Sequence, residues 1–147
     1  MSRLWRYFLP GYVWALPLTL FGLVLALYYR PARFYWADGC VEMVLPRNRY
    51  LIGGKGVGGQ TFGNVIFYRD RYARAWAPLR VHERCHTVQG MLLGVFFVPA
   101  YVLPFLFRLL VFGIGYDASY RNGWAERQAY GAGDRMKADP TLRLWGA

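Results

Sequence analysis

The sequence is short of the side chains from which catalytic and metal sites are built. Its 147 residues include two histidines, two cysteines and three glutamates. Cys40 and Cys85 give neither a disulfide framework nor a CxxC metal pair. Cys85 instead reads as a small buried apolar residue. Acidic groups of both kinds number eight against eighteen basic ones, sixteen of them Arg, for a net charge of +10. The arginines are scattered singly, with no dense basic helix and no recognisable nucleic-acid module. That pattern argues against nucleic acid as a partner and for anionic lipid headgroups.

Apolar side chains are abundant. They make up 56% of the chain, with 19% aromatic, above the roughly 45–50% apolar of ordinary soluble domains. They are bunched into two runs. The first, Tyr12 to Tyr29, carries no charge and lies between Arg3 and Arg6 and Arg30 and Arg33. Trp5, Tyr7 and Trp14 on one side, and Tyr28, Tyr29 and Trp36 on the other, resemble interfacial belts. No small-x-small site follows the run, which argues against a cleaved signal peptide. Residues 1–33 are therefore expected to form a spanning anchor, bent at Pro17, and residues 34–147 a single domain.

Within 34–68 the pattern predicts strands and turns. Asp38-Gly39 marks a turn, Cys40–Leu45 a strand, Tyr50-Leu51-Ile52 the start of a second, and Gln60–Tyr68 a third. Gly54-Lys55-Gly56-Val57-Gly58-Gly59 matches GxGxxG on paper. A strand-like segment follows it, where a dinucleotide site needs a helix, so a hairpin connection is the better reading. A helix should begin near Pro78 and run through His86 to Gly90 or Gly94. Another should span Asn122–Met136, with Asn122 as its cap.

Both histidines fall in one short motif, His82-Glu83-Arg84-Cys85-His86. Four residues apart on a helix, their imidazoles share a face and reach one metal ion. Glu83 sits beside them, where a carboxylate can take a proton from metal-activated water. Zinc needs a third protein ligand, and no histidine remains to supply it. The candidates are Glu42, Asp117, Glu126, Asp134 and Asp139. Glu126 stands out because its segment reads as a helix, with Ala129 one turn on to permit close packing. Gln89 shares the metal face. Tyr116, Tyr120 and Tyr130 are candidates for stabilising an oxyanion.

His82-Glu83-Arg84-Cys85-His86-Thr87-Val88-Gln89 resembles the HExxHxxQ of a group of small bacterial and phage membrane proteins of gluzincin-like type. In that group the motif is followed by a Gly, an apolar Pro-containing stretch and a downstream ExxA. Here Gly90 or Gly94, Phe96–Tyr101, and Glu126 with Ala129 stand in the same order. The resemblance covers about residues 36 to 130. It implies an α+β fold in which a small antiparallel sheet precedes the HExxH helix, itself packed on a C-terminal helix carrying the Glu ligand. It also implies Zn2+ held by His82, His86 and Glu126, and a metallopeptidase-type hydrolase with Glu83 as general base. Gln89 and Tyr130 become residues behind the ligands or facing a peptide substrate. The chain departs from well-studied gluzincins in having Tyr130 where an Asp would follow the third ligand. Alternatives are a structural zinc site without catalysis, and a basic membrane-active lysis or envelope factor.

Glu126 cannot meet His82 and His86 from across a bilayer. The second apolar run, Gly90 to Gly115, must then turn back, and Pro99, Pro104 and Arg108 favour a re-entrant or interfacial hairpin at 91–115. The expectation is one spanning helix at the N-terminus, with the metal domain on the cytoplasmic side as the Arg excess suggests.

Overall fold

A computed structural model describes residues 10–141. The chain is α+β. Helix α1 (Leu16–Tyr29) precedes strands β1 (Arg33–Ala37), β2 (Cys40–Val44), β3 (Gly59–Phe62) and β4 (Val65–Tyr68). Helices α2 (Arg71–Ala75), α3 (Ala77–Leu93), α4 (Phe97–Val111), α5 (Tyr116–Arg121) and α6 (Trp124–Ala138) follow, with a 3-10 turn at Gly94–Phe96 between α3 and α4.

β1 and β2 form a hairpin closed by Asp38 and Gly39, both at positive φ (47° and 76°). Positive φ at both central residues matches the strand twist, and Asp-Gly is suited to adopt it. The segment Gln60–Tyr68 is not one strand but a second hairpin. Phe62 pairs with Val65, and Gly63 turns the chain at φ +56°. Tyr50–Ile52 forms no strand; it enters a turn, while Leu51 is buried in the core.

The expected antiparallel sheet is mixed. Its order is β1-β2-β4-β3, with β4 parallel to β2. The physical reason is the long excursion through residues 45–58, which carries the chain across before the second hairpin forms, as a parallel pair requires. β3 is left at an edge. β4 is covered on both faces, and all four of its residues are buried.

Side chains alternate between two cores. Met43, Val65 and Phe67 pack with Tyr29 of α1, while Cys40, Val44, Ile66 and Tyr68 pack with Ala73 of α2 and Leu79 of α3. Gly22 lets α1 sit directly on the second hairpin: a Cβ there would come within 2.9 Å of Val65 Cβ. Residues 10–14 are also helical, with a one-residue break at Ala15, two residues before Pro17. Arg3, Trp5, Arg6 and Tyr7, part of the expected anchor, lie outside the described residues.

α1 is a short apolar helix. Among the described residues, the helical stretch long and apolar enough to cross a membrane is Ala77–Val111, in the middle of the chain rather than at the N-terminus. After its apolar half, α4, the chain turns back. Tyr116 and Tyr120 of α5 pack against Phe105 and Tyr101 of α4, with ring centroids 5.4 and 6.4 Å apart. Trp124 then donates its indole N–H to Ala100 O at 2.7 Å.

α6 therefore returns to α3. Ala125, Ala129 and Gly133, one turn apart, face it. A Cβ on Gly133 would lie 3.0 Å from Pro78 O, so the two backbones nearly touch. Asn122 does not cap α6. It closes α5 through its N–H to Ala118 O, and Gly123 takes the N-cap of α6.

Candidate metal centre

α3 is the central helix of the molecule, and what it buries is mostly polar: His82, Glu83, Arg84, His86, Thr87 and Gln89. Burying such groups unpaired is costly, so the partners of each define the site.

On the face toward α6, the two imidazoles converge. His82 Nε2 and His86 Nε2 lie 3.2 Å apart. Glu126, in the first turn of α6 and 1% exposed, faces both rings. Its Oε2 is 3.4 Å from His82 Nε2 and its Oε1 is 3.3 Å from His86 Nε2. One ligand atom from each residue falls within 4.8 Å of the others, so the buried group could hold a metal ion. Glu126 Oε2 makes no hydrogen bond, and a buried carboxylate oxygen without a donor is suited to a cation.

Gln89 sets the state of His86. Its amide Nε2 donates to Ala125 O at 3.1 Å and Gln128 Oε1 at 3.0 Å, which fixes Oε1 as the atom facing His86 Nδ1 at 2.8 Å. Nδ1 must then carry the proton, leaving Nε2 with the bare lone pair that a metal requires. Tyr130 packs edge-on against the His82 ring, with centroids 4.7 Å apart, and is not one of the clustered ligand residues.

Glu83 faces the edge strand. Thr61 Oγ1 donates to Glu83 Oε2 at 2.7 Å. Oε1 lies over Gly59, where a Cβ would come within 2.5 Å of it. Only a residue without a side chain admits the carboxylate there.

The other acidic candidates are placed elsewhere. Glu42 is 0% exposed inside an arginine cage on the sheet: Arg84 Nη2 at 2.7 Å, Arg74 Nε at 2.8 Å and Arg80 Nη2 at 3.1 Å. Arg84 also pairs with Asp38. Asp117 and Asp134 line the groove in front of the site, and Asp139 is exposed at the end of α6.

That groove, about 1060 Å³, runs between β3 on one side and α4, α5 and α6 on the other, with His82, Glu83 and His86 on its floor. Tyr116 and Tyr120 stack in its wall, 6.5 Å apart. Burial and the Glu126 charge push the Tyr120 phenol pKa up, so it stays protonated.

Tyr101, Thr61 and Gly59 were not legible as site residues. Tyr101 sits in an apolar run, and neither Thr61 nor Gly59 belongs to the helix that carries the motif. Their single signal was a polar tip among apolar neighbours for Tyr101 and a glycine-rich approach to a strand for Gly59. Comparison of the chain with family models, curated proteins and solved structures finds no match.

Proposed function

We propose that this chain is a membrane-associated zinc hydrolase of peptidase type, with His82, His86 and Glu126 as ligands and Glu83 as general base. The observation that carries the reading is the convergence of the donors: the two imidazole Nε2 atoms lie 3.2 Å apart, and each has one Glu126 oxygen at 3.3 or 3.4 Å. Ligands about 2.0–2.1 Å from a tetrahedral ion are separated by about 3.3–3.4 Å. Two imidazoles and one carboxylate are also a donor set typical of catalytic rather than structural zinc, since a fourth position stays open.

A bound zinc ion would acidify water in that open position and polarise a substrate carbonyl. The protein's own part falls to Glu83. Thr61 occupies Oε2, leaving Oε1 to take a proton and return it to the departing amine. The free edge of β3 borders the groove and offers unpaired backbone N–H and C=O groups to an extended peptide. The resemblance of the motif to the HExxHxxQ group supports the same reading.

Lipid is the proposed second partner. Val24 and Leu27 of α1, and Leu103, Phe107 and Leu110 of α4, all turn outward. Such a surface exceeds the scattered apolar exposure normal for a soluble protein. Membrane attachment through α4, with the hairpin returning α6 to the site, satisfies both.

Metal analysis of the purified full chain tests the site: wild type retains about one zinc, and His86→Ala and Glu126→Ala lose it. Full retention by both variants overturns the proposal. Glu83→Gln separates catalysis from structure, since it should keep zinc and lose hydrolysis of a labelled casein. Unchanged biological activity in Glu83→Gln would favour a structural zinc.

A further inference from the structure

α4 reaches the metal centre through a single polar side chain. No residue of α4 is buried, yet Tyr101, in its second turn, donates its hydroxyl to Glu126 Oε1 at 2.6 Å. The same oxygen lies 3.3 Å from His86 Nε2. A single carboxylate oxygen thus accepts from a phenol of α4 and lies beside an imidazole of α3.

Two further contacts fix this arrangement. Phe97, one turn before Tyr101, packs beside it at 5.7 Å and beside the His86 ring at 6.3 Å. Trp124, two residues before Glu126, is tied to Ala100 O. The carboxylate therefore cannot swing away without breaking contacts to α4. With Oε1 engaged by the phenol, Oε2 remains without a hydrogen-bond partner. The phenol leaves that oxygen free as a donor and limits rotation of the carboxylate. Outer partners of this kind are worth about tenfold to a hundredfold in metal affinity.

We propose that Tyr101 is a positioning residue for Glu126, so that the apolar hairpin 97–121 is a working part of the metal centre as well as a lipid-facing surface. The proposal rests on the reading of His82, His86 and Glu126 as zinc ligands.

The test uses the full chain in phosphatidylcholine–phosphatidylglycerol vesicles. Zinc affinity is measured by competition with a chromophoric chelator, and the visible spectrum of bound Co2+ reports the ligand field. Tyr101→Phe should weaken zinc about tenfold to a hundredfold and shift the Co2+ bands at saturation. The Co2+ bands at saturating metal are the readout that a merely structural role of Tyr101 would not move. Tyr50→Phe, at an exposed position that does not line the groove, should change neither metal readout. Wild-type affinity and spectrum in Tyr101→Phe, with zinc lost in Glu126→Ala, would overturn this proposal alone. Zinc retained in both Glu126→Ala and His86→Ala would overturn the site reading and this proposal together.

Discussion

The hydroxyl of Thr61 donates to the carboxylate of Glu83 across 2.7 Å, tying the edge strand to the helix that carries both histidines. A hydrogen bond to a charged group is worth about 1.5–3 kcal/mol, and about 1.4 kcal/mol is a tenfold change in rate. Thr61→Val should therefore keep its zinc and lose roughly tenfold to a hundredfold in hydrolysis of labelled casein. Thr61→Ser, which keeps the hydroxyl, should stay near wild type. Equal rates for the Val variant and wild type would remove Thr61 from the machinery.

Gly59 is required by space rather than by φ. A Cβ there would lie 2.5 Å from Glu83 Oε1 and 2.8 Å from its Cγ. Gly59→Ala is expected to displace Glu83 and destabilise the fold by about 1–3 kcal/mol, the usual range for overpacking. At Gly58 the added carbon would meet the flexible end of Leu79 at 3.1 Å. Gly58→Ala should therefore cost less, and urea midpoints of the two variants give the comparison.

Metal binding should appear as stability. A ligand that binds the folded state alone contributes about 2.7 kcal/mol at a concentration one hundred times its Kd. Zinc should raise the melting temperature of the wild type, and a chelator should reverse the rise. His86→Ala and Glu126→Ala should show no rise, and a rise equal to wild type in either would exclude that residue as a ligand.

Glu42 should govern acid stability. Burial alone would raise its pKa, but the hydrogen bond from Arg84 and the charge of Arg80 outweigh burial and hold it below the ordinary carboxylate value. A carboxyl with a lower pKa folded than unfolded stabilises the fold fully above its unfolded value. That contribution is lost as pH falls through the folded value. Glu42→Gln also leaves three arginines without their shared carboxylate, and breaking such a buried pair costs about 3–5 kcal/mol. The variant should be less stable at pH 7, and its urea midpoint should fall less steeply than wild type between about pH 5 and 3. Parallel curves would show that another group dominates acid unfolding.

His82, Glu83 and His86 were legible because their relation is local. A helix of 3.6 residues per turn places the first and last on one face whatever surrounds them. Asp38-Gly39 was legible for the same reason, since two residues suffice to set that turn. Reading Gln60–Tyr68 as one strand failed because Gly63-Asn64, between Phe62 and Val65, is the turn of a hairpin rather than an interruption within one strand. The parallel pairing of β2 with β4 depends on where residues 45–58 carry the chain, which no local pattern encodes.

The sequence pointed to a carboxylate for the third ligand, since the chain holds no further histidine and Cys85 lies off the helix face that His82 and His86 share. Which carboxylate was a matter of packing. Glu42 is as acidic as Glu126, but the sheet places it among arginines, whereas Ala125, Ala129 and Gly133 let α6 approach α3 closely enough for Glu126 to reach the histidines. The part played by Tyr101 was decided by tertiary structure entirely. Its hydroxyl meets Glu126 across 25 residues of chain because the apolar hairpin folds back on itself. Local spacing can align side chains within one helix, but bringing together groups from three helices takes the closed path of the whole chain.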